Sequence, residues 1–136
     1  MMKGNRCAAI LILLLFFIGG CAGEDSLSGS AEIARDSLEE KGYEVVSFVN
    51  ESSWELTEKW VNSFPGKQEW RVQPVPPEKF IGKQIDRITF EVENHPLNNR
   101  FGKVNVTVFL YEREVIGGLS YPVPDYDGAP YSLEGE

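Results

Sequence analysis

Apolar and polar positions follow three rhythms along this chain. The first is an unbroken apolar run, Ala8–Ile18, with Lys3 and Arg6 before it and Gly19-Gly20-Cys21 after it. A spanning helix needs about 20 apolar residues, so this run has the size of a signal-peptide core instead. The second rhythm is helical. Over Ser30–Lys41, Ala31, Ala34 and Leu38 share a stripe with Ile33 beside it, and Glu32, Asp36 and Glu39 face away. Ser30 suits the N-cap and Gly42 the left-handed stop. A stripe this thin needs a sheet to lie on. The third rhythm is strict alternation, and it fills the last third of the chain. Ile88, Phe90 and Val92 alternate with Arg87, Thr89 and Glu91 over Ile85–Asn94. Val104, Val106, Val108 and Leu110 do the same over Lys103–Tyr111, and Glu114–Tyr121 completes the set. These are three strands.

The connections between those strands are too short for parallel crossovers, so they form an antiparallel meander. A two-residue turn at Glu112-Arg113 sets Leu110 opposite Val115, Val106 opposite Leu119, Val104 opposite Tyr121 and Phe109 opposite Ile116. Before the meander the pattern is more broken. Tyr43–Val49 reads as a strand, and a turn at Asn50-Glu51 gives an N-terminal hairpin with Ser52–Leu56. Thr57 caps a short helix whose apolar face is Leu56, Trp60 and Phe64, ending at Pro65-Gly66. Gln68–Gln73 reads as extended, with Trp70 and Val72 on one side. Pro74, Pro76 and Pro77 then exclude regular pairing. The tail from Pro122 to Glu136 reads as irregular. The expected fold class is α+β: an antiparallel sheet, made of the C-terminal three-stranded meander plus the N-terminal hairpin, with one or two helices packed on one face.

Composition narrows the function. The 136 residues carry 13 Lys+Arg against 21 Asp+Glu, and setting aside Lys3 and Arg6 leaves 11 against 21, a net −10. Such a surface repels phosphate backbones, so nucleic acid is not an expected partner. No cysteine follows Cys21 and His95 is the single histidine, so neither a disulfide, a thiolate or histidine-cluster metal site nor a bound cofactor is expected.

Ile18-Gly19-Gly20-Cys21 resembles a bacterial lipobox. The resemblance implies cleavage before Cys21 and diacylglycerol on its sulfur. It gives a lipoprotein signal peptide over 1–20, a lipidated cysteine and flexible linker over 21–29, and a single domain over 30–136. Two or more acyl chains make a stable anchor, so the expected place is the outer face of a cell membrane, held through Cys21. Trp70-Arg71-Val72-Gln73, Phe80-Ile81-Gly82-Lys83, Asn94-His95-Pro96-Leu97, Val115-Ile116-Gly117-Gly118 and Tyr131-Ser132-Leu133-Glu134-Gly135 together resemble small Bacillus-type lipoproteins of unknown function. That resemblance brings no assigned activity or catalytic residue.

Candidate chemistry is sparse. His95 precedes a proline, which places it at a turn start, and no nucleophile elbow or oxyanion loop accompanies it. Asp125-Tyr126-Asp127-Gly128 fits part of a calcium-loop frame with Glu134 at its end, but Val123 occupies the first ligand position. Trp54, Trp60 and Trp70 suggest a sugar-stacking platform, although Trp60 and Trp70 read as core. The more promising surface is the second face of the meander. Phe109, Tyr111 and Ile116 gather there beside Gly117 and Gly118, which permit close backbone approach. The expectation is a non-catalytic interaction module of the cell envelope binding a protein partner through these five residues. The alternative is a binder of small ligands or wall polymer, marked by a concave pocket behind the sheet.

Overall fold

The computed structural model describes residues 26–124 and 128–136. Cys21 and the run before it lie outside the described residues, as do Asp125, Tyr126 and Asp127 of the calcium-like frame. Five strands form one antiparallel sheet in chain order: β1 (Glu44–Glu55), β2 (Gln84–Glu93), β3 (Val104–Tyr111), β4 (Glu114–Pro122) and β5 (Tyr131–Ser132). The α+β class is the one expected from the sequence. No helix among the described residues is long and apolar enough to cross a membrane.

One face of the sheet is closed by α1 (Gly29–Glu40). Ala31, Ala34 and Leu38 are fully buried against Ile88, Phe90, Val92, Val106 and Val108. The cap is Ser28, two residues earlier than expected, and its hydroxyl accepts from the Ala31 N–H at 3.0 Å. Ser30 instead donates to Asp86 on β2. Gly42 takes a φ of +90° and ends the helix as expected. Leu27 already packs on this core, so the folded unit begins inside the stretch read as linker.

The other face carries helices too, while the short Asn98–Phe101 helix packs Phe101 on the α1 side, so helices lie on both faces and not on one. Here α2 (Glu58–Val61), α3 (Gly66–Arg71) and a 3₁₀ turn at Pro77–Lys79 lie over one end of the sheet. Thr57 caps α2 as expected, accepting from Trp60 N–H at 3.1 Å. The α2 helix stops at Val61, which leaves Phe64 74% exposed instead of on the apolar face. The segment read as extended, Gln68–Gln73, is mostly α3. Gly66 does not end structure there: it packs against Trp60 and lets the helix start. Gln73 then locks the end of α3, donating to Glu69 O at 2.8 Å and accepting from Gly118 N–H at 2.7 Å.

The N-terminal hairpin is one continuous strand, β1, paired along its length with β2. Asn50-Glu51 lacks the residues of a two-residue turn, and the chain absorbs it as a register irregularity between Phe48 and Asn50. A second irregularity lies between Val45 and Ser47. Such breaks blunt the free edge of a sheet. The tail is less irregular than expected: β5 pairs with β4, and Leu133 enters the α1-side core.

Candidate functional site

The register of β3 and β4 decides what the second face presents. Glu112 and Arg113 both take positive φ, 48° and 68°, as a type I′ turn requires. Leu110 therefore faces Val115 as expected. A bulge follows at once, so Phe109 pairs with Gly117, Val106 with Ser120 and Val104 with Pro122, each one residue beyond the expected partner.

This places the five proposed contact residues together but not in the open. Phe109 is 2% exposed and lies 6.0 Å from the Trp70 ring. Tyr111 and Ile116 pack into the same cluster, with Phe80 edge-on to Tyr111. The close approach allowed by Gly117 and Gly118 is used within the chain. A Cβ on Gly117 would meet the Gln73 side chain, and one on Gly118 would meet Thr107 O and Leu133. The exposed partner patch centred on Phe109 is thus corrected to core, because the 65–80 segment folds over it. Ile116, Gly117 and Gly118 border only a small hollow of about 180 Å³.

The aromatic platform is likewise built in. Trp54 and Trp60 meet edge to face at 5.2 Å, and Trp70 lies against Phe80 and Phe109. His95 is also structural. Its Nδ1 accepts from Leu97 N–H at 3.1 Å, which leaves Nε2 to donate to Leu133 O at 2.9 Å. Burial pushes its pKa below the ordinary histidine value, while the Leu133 carbonyl and Glu134 pull the other way. Both ring nitrogens are taken by main chain, so the ring pins the tail to the body of the domain. Among the described residues, no group of three or more His, Cys, Asp or Glu side chains could hold a metal.

The feature that sequence reading did not assemble is a polar cleft beside the aromatic cluster, about 370 Å³ in volume. Its floor comes from alternate positions on β2 and β3. Thr89 and Thr107 face each other across the strands, 4% exposed each, with hydroxyls 2.7 Å apart. Next to them Arg87 and Glu69 form a half-buried ion pair at 3.1 Å. The guanidinium lies over Phe109 at 4.9 Å and Trp54 at 5.3 Å from the ring centroids. Glu69 belongs to α3, so the misread segment supplies the wall. Pro65 continues that wall, Asn50 and Ser52 on β1 form one rim, and Tyr121 with Pro130 forms the other.

One buried polar atom without a partner belongs to a wall of this cleft, and a second lies beside it. Among the described residues, the buried polar atoms without partners are Glu69 Oε2, Asn105 Oδ1 and Trp60 Nε1. Glu69 lines the cleft, and Asn105 lies within 3.5 Å of the Tyr121 hydroxyl that lines it. Such atoms are few in folded proteins.

Comparisons with protein-family models, with curated proteins and with solved structures return no match.

Proposed function

We infer that this chain is a lipid-anchored, non-catalytic binding domain on the outer face of the cell membrane, whose recognition site is the polar cleft between β1–β3 and α3. The observation that carries the reading is the cleft itself. Its volume falls at the lower end of small-ligand sites, and its floor is lined by hydroxyls and an ion pair instead of a nucleophile and base. The Ile18-Gly19-Gly20-Cys21 lipobox supports the anchor, with acylated Cys21 holding the domain at the membrane. The reading favours the small-ligand or wall-polymer alternative over a protein adaptor, since the apolar patch that suggested an adaptor is core.

The test uses the mature lipidated protein in detergent, melted with and without the soluble small-molecule and wall-fragment fraction of a bacterial envelope. The expected result is a melting temperature raised by the fraction in the wild type. Asn50→Trp, an exposed rim substitution that fills the cleft, removes that rise. No rise in the wild type, together with a discrete protein crosslinked to it in intact cells, overturns the cleft reading in favour of an adaptor. Separately, Cys21→Ser is expected to abolish lipid labelling and membrane retention; retention as before would sink the anchor.

A further inference from the structure

We propose that the cleft takes a neutral, hydroxyl-rich ligand of one or two rings, a saccharide, seated on the Thr89–Thr107 pair; this rests on the ligand-binding reading above. Charge comes first. Among the described lining residues there is one cation, Arg87, and one anion, Glu69, and they are paired with each other. Arg87 is further held over Trp54 and Phe109, so it is not free to turn toward an anionic guest. The surrounding domain is strongly acidic, which adds a repulsive field against anions. A cation is drawn by that field but meets the Arg87 guanidinium inside the cleft.

Hydrogen counting comes second. The two threonine hydroxyls hold two hydrogens, and one of them spans the 2.7 Å gap. The other has no acceptor among the described residues, so the floor offers a donor. On the wall, Glu69 Oε2 is an acceptor without a donor among the described residues. A ligand hydroxyl is at once donor and acceptor, and it answers both needs where an apolar or purely accepting group answers neither. The walls suit the other side of a sugar ring. Pro65, Tyr121 and Pro130 offer apolar surface for its C–H faces. Phe64, the most exposed of the large exposed apolar side chains among the described residues, directly precedes wall residue Pro65.

The mature lipidated protein in detergent is titrated with N,N′-diacetylchitobiose, glucuronic acid and glucosamine, read by calorimetry and by backbone amide NMR. The expected result is saturable chitobiose binding that shifts the amides of Thr89, Thr107 and Tyr121, with both charged sugars weaker by about tenfold or more. Thr89→Val/Thr107→Val weakens chitobiose about tenfold while the melting temperature holds. Phe64→Ala, at an exposed position, weakens it by about three- to tenfold. Glucuronic acid or glucosamine binding as tightly as chitobiose overturns the neutral chemistry. So does the absence of chitobiose binding up to about 10 mM, or binding that moves no cleft amide. If the envelope fraction raises the melting temperature while chitobiose does not bind, this inference fails and the cleft reading stands. If neither acts, both fail.

Discussion

The two faces of one sheet, built by the same strands, meet the problem of burial differently. On the α1 side every inward position of β2 and β3 from Ile88 to Val108 is aliphatic or Phe90, and three small or branched residues of α1 close it. On the other side the same strands present Ile85 and Phe109 at one end and Thr89, Asn105 and Thr107 at the other. The aromatic end is capped by Trp70 and Phe80, and the polar end is left as a cleft. One face is therefore devoted to stability, whereas the other divides its area between stability and recognition. Substitutions should reveal that division.

The largest effect belongs to the dry face. Phe90→Ala removes a fully buried ring and is expected to cost about 4 kcal/mol, read as a lowered urea midpoint. At the boundary on the other face, Arg87→Ala strips the partner from a half-buried Glu69, at about 2–3 kcal/mol. Replacing both members with Arg87→Met/Glu69→Leu should recover most of that loss, because no charge is then left unpaired. If the double variant is as unstable as the single one, the pair is not an electrostatic unit.

How far this division was legible depended on which element carried it. The alternation in β2 and β3 writes the contrast openly: Ile88, Phe90 and Val92 against Arg87, Thr89 and Glu91. The polar half-face could be read, and so could the gathering of Phe109, Tyr111 and Ile116. What covers them could not. Residues 66–71 carry both Gly66 and a short apolar spacing that fits a strand as well as a single helical turn and a half. The choice was made by packing, through Gly66 on Trp60 and Gln73 on Gly118. Propensity over six residues is too weak to decide it. The one-residue slip after Leu110 has the same origin, since a bulge depends on what lies against Gly117 and Gly118 and leaves no signature at Glu112-Arg113.

A smaller effect concerns how the tail is held to the dry core. His95 is 2% exposed, stacks beside Tyr43 at 4.9 Å, and bonds Leu133 O. Burial lowers its pKa despite the nearby Glu134 carboxylate, itself bridged to Lys41. The unfolded chain therefore takes up this proton first as pH falls. The stabilisation is complete above the unfolded value of 6.5 and is lost progressively below it. Melting temperature should drop more between about pH 8 and about pH 5 in the wild type than in His95→Gln. Equal drops would mean that the histidine does not couple the tail to pH.

The smallest expected effect on stability is the most informative about the cleft. Thr89 and Thr107 are nearly as buried as the aliphatic residues behind them, yet their hydroxyls bond only each other among the described residues. Their mutual bond contributes about 1 kcal/mol net, but removing both hydroxyls together leaves no orphaned partner and the two methyls that replace them gain about as much on burial. Thr89→Val/Thr107→Val replaces each side chain with one of the same shape, so the change in stability should lie within about 0.5 kcal/mol of zero. A pair placed there for folding would show a clear loss on denaturant titration. A pair that can be removed without loss is not required by the fold. On the dry face, by contrast, no exchange of two neighbouring side chains for ones of different polarity, such as Val106→Thr/Val108→Thr, should be tolerated at less than about 2 kcal/mol. Finding the two double variants equally harmless would erase the distinction between the faces.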